Sequence, residues 1–225
     1  MATLTWTGAG ADSFWGTAGN WSPAQAPAAG DIIVFNFTAN NPCIVNANTA
    51  TVASINFNAY QGTVTINNGI NLVVGGNVTL STSNLFDITT LATGTLTISA
   101  NSSLMTNGRT INCILRLINT NVNPATPTIV TVSLMDNVTM SKGFVAGGSP
   151  VGTVVLQSSV LNTQRQFTLQ NIEGVTQDID FLNVIDIDGN QGVTMWSYQG
   201  ATPVNSKNWY VMSTQPPPTS GFAIG

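Results

Sequence analysis

The densest carboxylates of the chain are Asp178-Ile-Asp180 and Asp186-Ile-Asp188-Gly-Asn190. In a strand, residues i and i+2 share a face, so each pair could aim two acids at one spot. Like-charge repulsion would then raise one pKa, as in the paired acids of glycoside hydrolases. The same acids alternate with Ile179, Phe181 and Ile187, which is also what a strand with one solvent face produces. That structural reading is preferred. Asp186-x-Asp188-x-Asn190 opens like a calcium loop, but the pattern then needs glycine where Gln191 stands and a bidentate glutamate where Ser197 stands. It fails as an EF-hand, and a non-standard cation site between subunits is the remaining metal reading.

Little else could do chemistry. The chain has no histidine, a single glutamate (Glu173) and five Lys+Arg in 225 residues. A serine triad and imidazole metal ligation are excluded, and no Cys-x-x-Cys or nucleotide-binding glycine fingerprint occurs. Charged residues make up 6 %, and the net charge of −4 is scattered, which offers no basic patch for phosphates or an anionic membrane. We therefore expect no enzyme, no cofactor, no nucleic-acid partner and no membrane partner. A polysaccharide lyase or hydrolase built on the Asp178–Asp188 segment is the weakest reading.

The elements around these residues read as strands. A theme recurs at Thr63-Val-Thr-Ile66, Asn77-Val-Thr-Leu80, Thr95-Leu-Thr-Ile98, Thr131-Val-Ser-Leu134, Asn137-Val-Thr-Met140, Thr153-Val-Val-Leu156 and Gln166-Phe-Thr-Leu169. Most copies alternate polar and apolar residues, the period of a half-buried strand. Their irregular spacing is read as the coil period of a β-solenoid, with inward residues stacking and Asn and Thr forming ladders at the turns. Gly62, Gly69, Gly75, Gly76, Gly94, Gly108, Gly147, Gly148 and Gly152 flank the strands, where positive φ is expected. The predicted fold class is all-β, a short single-domain right-handed β-helix-like solenoid with aromatic end caps. A jelly roll or β-sandwich is the alternative.

Three segments are expected: a Trp-rich N-terminal cap over 1–35, a solenoid body over 36–212 and a Pro-rich extended arm over 213–225. Trp6, Trp15 and Trp21 stand in the first, and Trp196 and Trp209 close the second. Large aromatics make efficient lids for a stacked core; stacking on carbohydrate is the competing reading. Pro216, Pro217 and Pro218 enforce a stiff extended form that ends in the apolar Phe222, Ala223 and Ile224. Trp6, Trp15, Trp21, Pro216, Pro217, Pro218, Phe222 and Ile224 are the candidate partner contacts. Cys43 and Cys113 are expected to be reduced core thiols. The sequons at Asn20, Asn36, Asn77, Asn101 and Asn137 are read as unmodified, a product of an Asn/Thr-rich composition.

The segment Thr5-Trp-Thr-Gly-Ala-Gly-Ala-Asp-Ser-Phe-Trp-Gly-Thr-Ala-Gly-Asn-Trp-Ser22, followed by Pro27-Ala-Ala-Gly-Asp31, resembles the opening coil of β-solenoid proteins. These come from autotransporter-type surface adhesins and from tailed-phage virions. The closing Asn205-Ser-Lys-Asn-Trp-Tyr-Val211 is similar to the Asn-Trp ending of phage β-helical chains. The N-terminal residues lack a basic n-region and an apolar h-region, which favours the phage group and assembly in the host cytoplasm. The resemblance implies a virion structural protein. We expect a capsid decoration or cement protein, a homotrimer that bridges the major capsid protein or another virion protein. The alternative is a receptor-binding fibre or adhesin that grips glycan.

Overall fold

A computed structural model describes residues 1–212 except 61, 81–86, 91–93, 109 and 173, with 87–90 described by backbone alone. The expected arm 213–225, with Pro216, Pro217, Pro218, Phe222 and Ile224, lies outside the described residues, as does Glu173. The protein is all-β. Among the described residues the only helical element is a single 3-10 turn, Ala18–Asn20, and no helix is long and apolar enough to cross a membrane.

One nine-stranded sheet runs Trp21–Ser22, Thr3–Trp6, Ile32–Asn36, Ser54–Asn58, Val78–Thr79, Ser102–Met105, Thr128–Leu134, Gly152–Ser158, Leu182–Ile185. A five-stranded sheet stacks Asn71–Val74, Thr95–Ile98, Ile114–Ile118, Gly143–Gly147 and Thr176–Ile179. A four-stranded sheet holds Thr110–Ile111, Val138–Met140, Arg165–Leu169 and Ile187–Asp188, and a three-stranded one holds Cys43–Val45, Thr63–Ile66 and Asp87–Thr90. Met195–Tyr198 and Trp209–Met212 form a terminal pair. From Thr95 onward the chain visits the five-, nine- and four-stranded sheets in rotation.

Pairing within these sheets is parallel except where Thr3–Trp6 meets Trp21–Ser22. The antiparallel ladders that a jelly roll requires are thus confined, among the described strands, to one short hairpin. The registers lay apolar residues on one another: Ile33, Ile55, Val78, Leu104 and Leu134 in the widest sheet, and Leu72, Leu96, Leu115 and Phe144 in the next. All of these are buried in one core, where burial is worth roughly 25 cal/mol per Å² of apolar surface.

The repeated theme marks strands correctly but not the tiers. Thr63–Ile66, Thr95–Ile98 and Val138–Met140 belong to three different sheets, so successive copies lie on different faces. True register partners stand further apart and irregularly: Leu96 pairs with Leu115, whereas Gly143 pairs with Thr176. The glycines also differ from expectation. Of the nine, Gly69 and Gly108 have positive φ. Gly152 serves close approach instead, since a Cβ there would sit 2.4 Å from the Asn121 carbonyl oxygen. Many positive-φ positions fall on Asn or Asp: Asn107, Asn162, Asp186, Asn205 and Asn208.

Asparagine works from side chain to backbone more than by side-chain ladders. The Asn77, Asn101 and Asn137 side-chain oxygens accept from the backbone N–H of Ser103, Thr131 and Gln166 on the next tier, at 2.8, 2.8 and 2.9 Å. These are three of the sequon asparagines, so their recurrence has a structural cause. The 1–35 boundary falls inside the strand Ile32–Asn36, and the N-terminal aromatics share one core with the rest of the chain. Cys43 and Cys113 are both buried and not bonded to each other.

Candidate functional site at the C-terminal end

The four aspartates do not form one cluster. Asp178 lies exposed on the strand Thr176–Ile179 of the five-stranded sheet, with Asp180 just beyond it. These two flank the inward Ile179 and share an outward face, as alternation predicts. Asp180 is held above the ordinary carboxylate range by partial burial and by the neighbouring Asp178 charge.

Asp186 and Asp188 are separated by a corner instead. Asp186 sits at φ 57° between Leu182–Ile185 and Ile187–Asp188, which belong to different sheets. Its buried carboxylate accepts from the Asn162 backbone N–H and the Asn205 side-chain amide at 2.9 and 2.5 Å. Asp188 accepts from the Asn190 backbone N–H and lies 3.9 Å from Lys207 Nζ. The strand geometry expected for this second pair is therefore absent: Asp186 pins a corner and Asp188 closes an ion pair. Among the described residues no three His, Cys, Asp or Glu side chains group to hold a metal ion.

The N-terminal tryptophans are a lid. Trp6, Trp15 and Trp21 are 0, 5 and 2 % exposed. Trp21 meets Trp6 and Trp15 edge-on at 5.0 and 5.1 Å, and all three rings approach Phe35. Two of the indole donors reach backbone acceptors: Trp6 Nε1 donates to the Asn41 carbonyl at 2.9 Å and Trp21 Nε1 to the Trp15 carbonyl at 2.8 Å. The buried Asn20 holds the loop above them, donating to Asp12 and to the Phe14 carbonyl while accepting from the Gly10 N–H. The face of each ring that a partner or a sugar would have to touch is thus covered, and the carbohydrate reading loses its N-terminal half.

The two C-terminal tryptophans divide. Trp209 is buried against Phe144 and Phe167 at 6.3 and 5.9 Å, although its Nε1 has no hydrogen-bond partner among the described residues. Trp196 is not a lid. It points outward, 41 % exposed, and stacks on its cross-strand neighbour Tyr210, 52 % exposed, at 5.0 Å and 29°. Tyr198 and Met212 form the next cross-strand pair, so alternation extends the outward strip to four residues. A parallel bridge from Asp180 to Tyr198 ties the strip to the acidic strand, which brings Asp178 and Asp180 to its flank.

Sequence reasoning placed Trp196 correctly at the chain's end but gave it the wrong face, and it did not single out Tyr198, Tyr210 or Met212. The available signal was parity: in Met195-Trp196-Ser197-Tyr198 the outward positions are the aromatic ones. Compared with known proteins, the chain matches no family model, no curated protein and no solved structure.

Proposed function

We propose that this chain is a non-enzymatic structural protein of a bacteriophage virion, a capsid decoration or cement protein whose body is a right-handed parallel β-helix. Three-sheet rotation and tier-on-tier parallel register support the helical winding, and right-handedness follows from the strong bias of parallel crossovers. The opening Trp/Gly segment and the closing Asn-Trp segment support the phage assignment by resemblance.

The observation that carries the reading is that the protein's two ends are finished differently. One is sealed by buried tryptophans and a short antiparallel strand that stops at Pro23. At the other, the last described strand is parallel and leaves Tyr210, Val211 and Met212 exposed, an edge ready to be covered. A body with sparse charge covers such a surface at little desolvation cost. Attachment would bridge neighbouring subunits of the shell and add contact area, with no reaction.

Immunogold labelling of particles with antibody against residues 36–200 tests this: even label over the shell is expected. Label confined to a tail tip or a host surface would overturn decoration. The exposed Trp196–Tyr210 pair favours one second reading, a glycan-binding fibre, and sugar capture on a glycan array would replace the cement reading with it.

A further inference from the structure

We propose that the Trp196–Tyr210 pair is the docking site for the Pro216–Pro218 segment of a second copy of this chain, so that residues 213–225 are exchanged between copies. The two rings are cross-strand neighbours whose backbones are fixed by parallel pairing through Met195–Tyr198 and Trp209–Met212. They are therefore held in place before anything binds, with Tyr198 and Met212 widening the strip. Proline rings pack on exposed aromatic faces, and a polyproline segment loses little entropy on docking because it is already extended.

Chain chemistry excludes the simplest alternative, in which the segment adds a further strand. Pro216, Pro217 and Pro218 carry no N–H, so they cannot continue the ladder along the edge of Trp209–Met212 that no described strand pairs with. Docking must go through rings.

The place where the segment departs points to a second copy. It leaves from Met212, on the same strand as Tyr210, with only Ser213, Thr214 and Gln215 before the prolines. To reach its own Tyr210 the chain would have to reverse within those three residues and run back along the edge that prolines cannot pair with. Extended away from the body, 13 residues at about 3.1 Å each reach roughly 40 Å, enough to cross to a neighbour. Residues 213–225 contain no charged side chain, so seating them desolvates no ion. Reciprocal exchange closes a dimer and cyclic exchange a trimer. The proposal is independent of the particle the protein decorates.

The test uses the full chain, with mass measured by light scattering after size exclusion. Wild type is expected to be an oligomer. Trp196→Ala, Tyr210→Ala and the triple change Pro216→Ala/Pro217→Ala/Pro218→Ala should each weaken association about tenfold or more. Thermal unfolding of the triple variant, whose changes lie outside the core, controls for folding. Mixing Trp196→Ala with the proline variant should restore a mixed complex, since one supplies the prolines and the other the rings. A monomeric wild type overturns the proposal. So does an unchanged mass in any one of the variants, or a mixture that fails to pair.

Discussion

At one end of this molecule three tryptophans are buried and the two indole N–H groups with assigned acceptors reach backbone carbonyls; at the other, one tryptophan is buried with its N–H unpaired and another lies open to solvent. The sealed end also has a hydrogen-bonded loop around Asn20 and an antiparallel strand that blunts the sheet edge. The open end has a stacked aromatic pair and, among the described residues, a parallel edge with no further strand on it. One end closes a core and the other leaves surface for something else. That difference turns each end into a measurable claim.

The largest effect should come from the lid. Trp6→Ala or Trp21→Ala removes a fully enclosed ring beside Phe35, and urea unfolding should show a loss of about 3–5 kcal/mol. A loss below about 1 kcal/mol would mean that the sealed end is not sealed. Asn20→Ala should rank next. It leaves the Gly10 N–H and the Phe14 carbonyl without their partner, a cost of about 2–3 kcal/mol.

Replacing tryptophan by phenylalanine sharpens the contrast. Trp6→Phe removes one of two donors to the Asn41 carbonyl, which keeps the Tyr60 hydroxyl, and should cost about 1 kcal/mol. Trp209→Phe removes a donor that has no acceptor, so what it loses in ring volume is offset, and its unfolding midpoint should stay close to wild type. Equal losses at the two positions would erase the distinction.

Acid should separate the ends in sign. The Asp31 carboxylate accepts from the Ala2 and Ala28 N–H groups, and Asp12 from the Phe14 N–H; both are held below the ordinary value of 3.8. A depressed folded pKa gives stability that is present above the unfolded value and lost as pH falls through the folded one. Asp180 is shifted up, by burial first and Asp178 second, so its contribution is present at low pH and lost as pH rises through its folded value. Melting temperature followed from about pH 5 to pH 3 should therefore fall, and Asp31→Asn should flatten that fall. An unchanged slope in Asp31→Asn would remove the N-terminal loop as its source.

Much of the fold was legible because alternation is a local signal. Thr63–Ile66 and the 131–134 part of Thr128–Leu134 bury every second residue as their sequences predict. Tier order was not legible. A half-buried strand looks the same on any sheet, and the loops between register partners vary too much to set a period. Glycine misled where it was read for φ, since Gly152 is there for its missing Cβ while Asp186 and Asn208 take the left-handed corners. The acidic pairs show the same limit. Asp178 and Asp180 do share a face, whereas the identical spacing at Asp186 and Asp188 spans a corner that no two-residue pattern reports.

The smallest stability effect should be the most informative. Trp196 contributes its ring to solvent and to Tyr210, not to the core beneath Met195 and Ser197, so Trp196→Ala should change the unfolding free energy of the monomer by about 1 kcal/mol or less. Stacking on Tyr210 is worth at most about 1 kcal/mol there, because both rings remain half in water. A tryptophan that costs almost nothing to remove from the fold is free to contribute its binding energy elsewhere. If urea unfolding instead shows a loss near that of Trp6→Ala, the ring is a second lid, the two ends are alike, and the C-terminal end has no surface reserved for a partner.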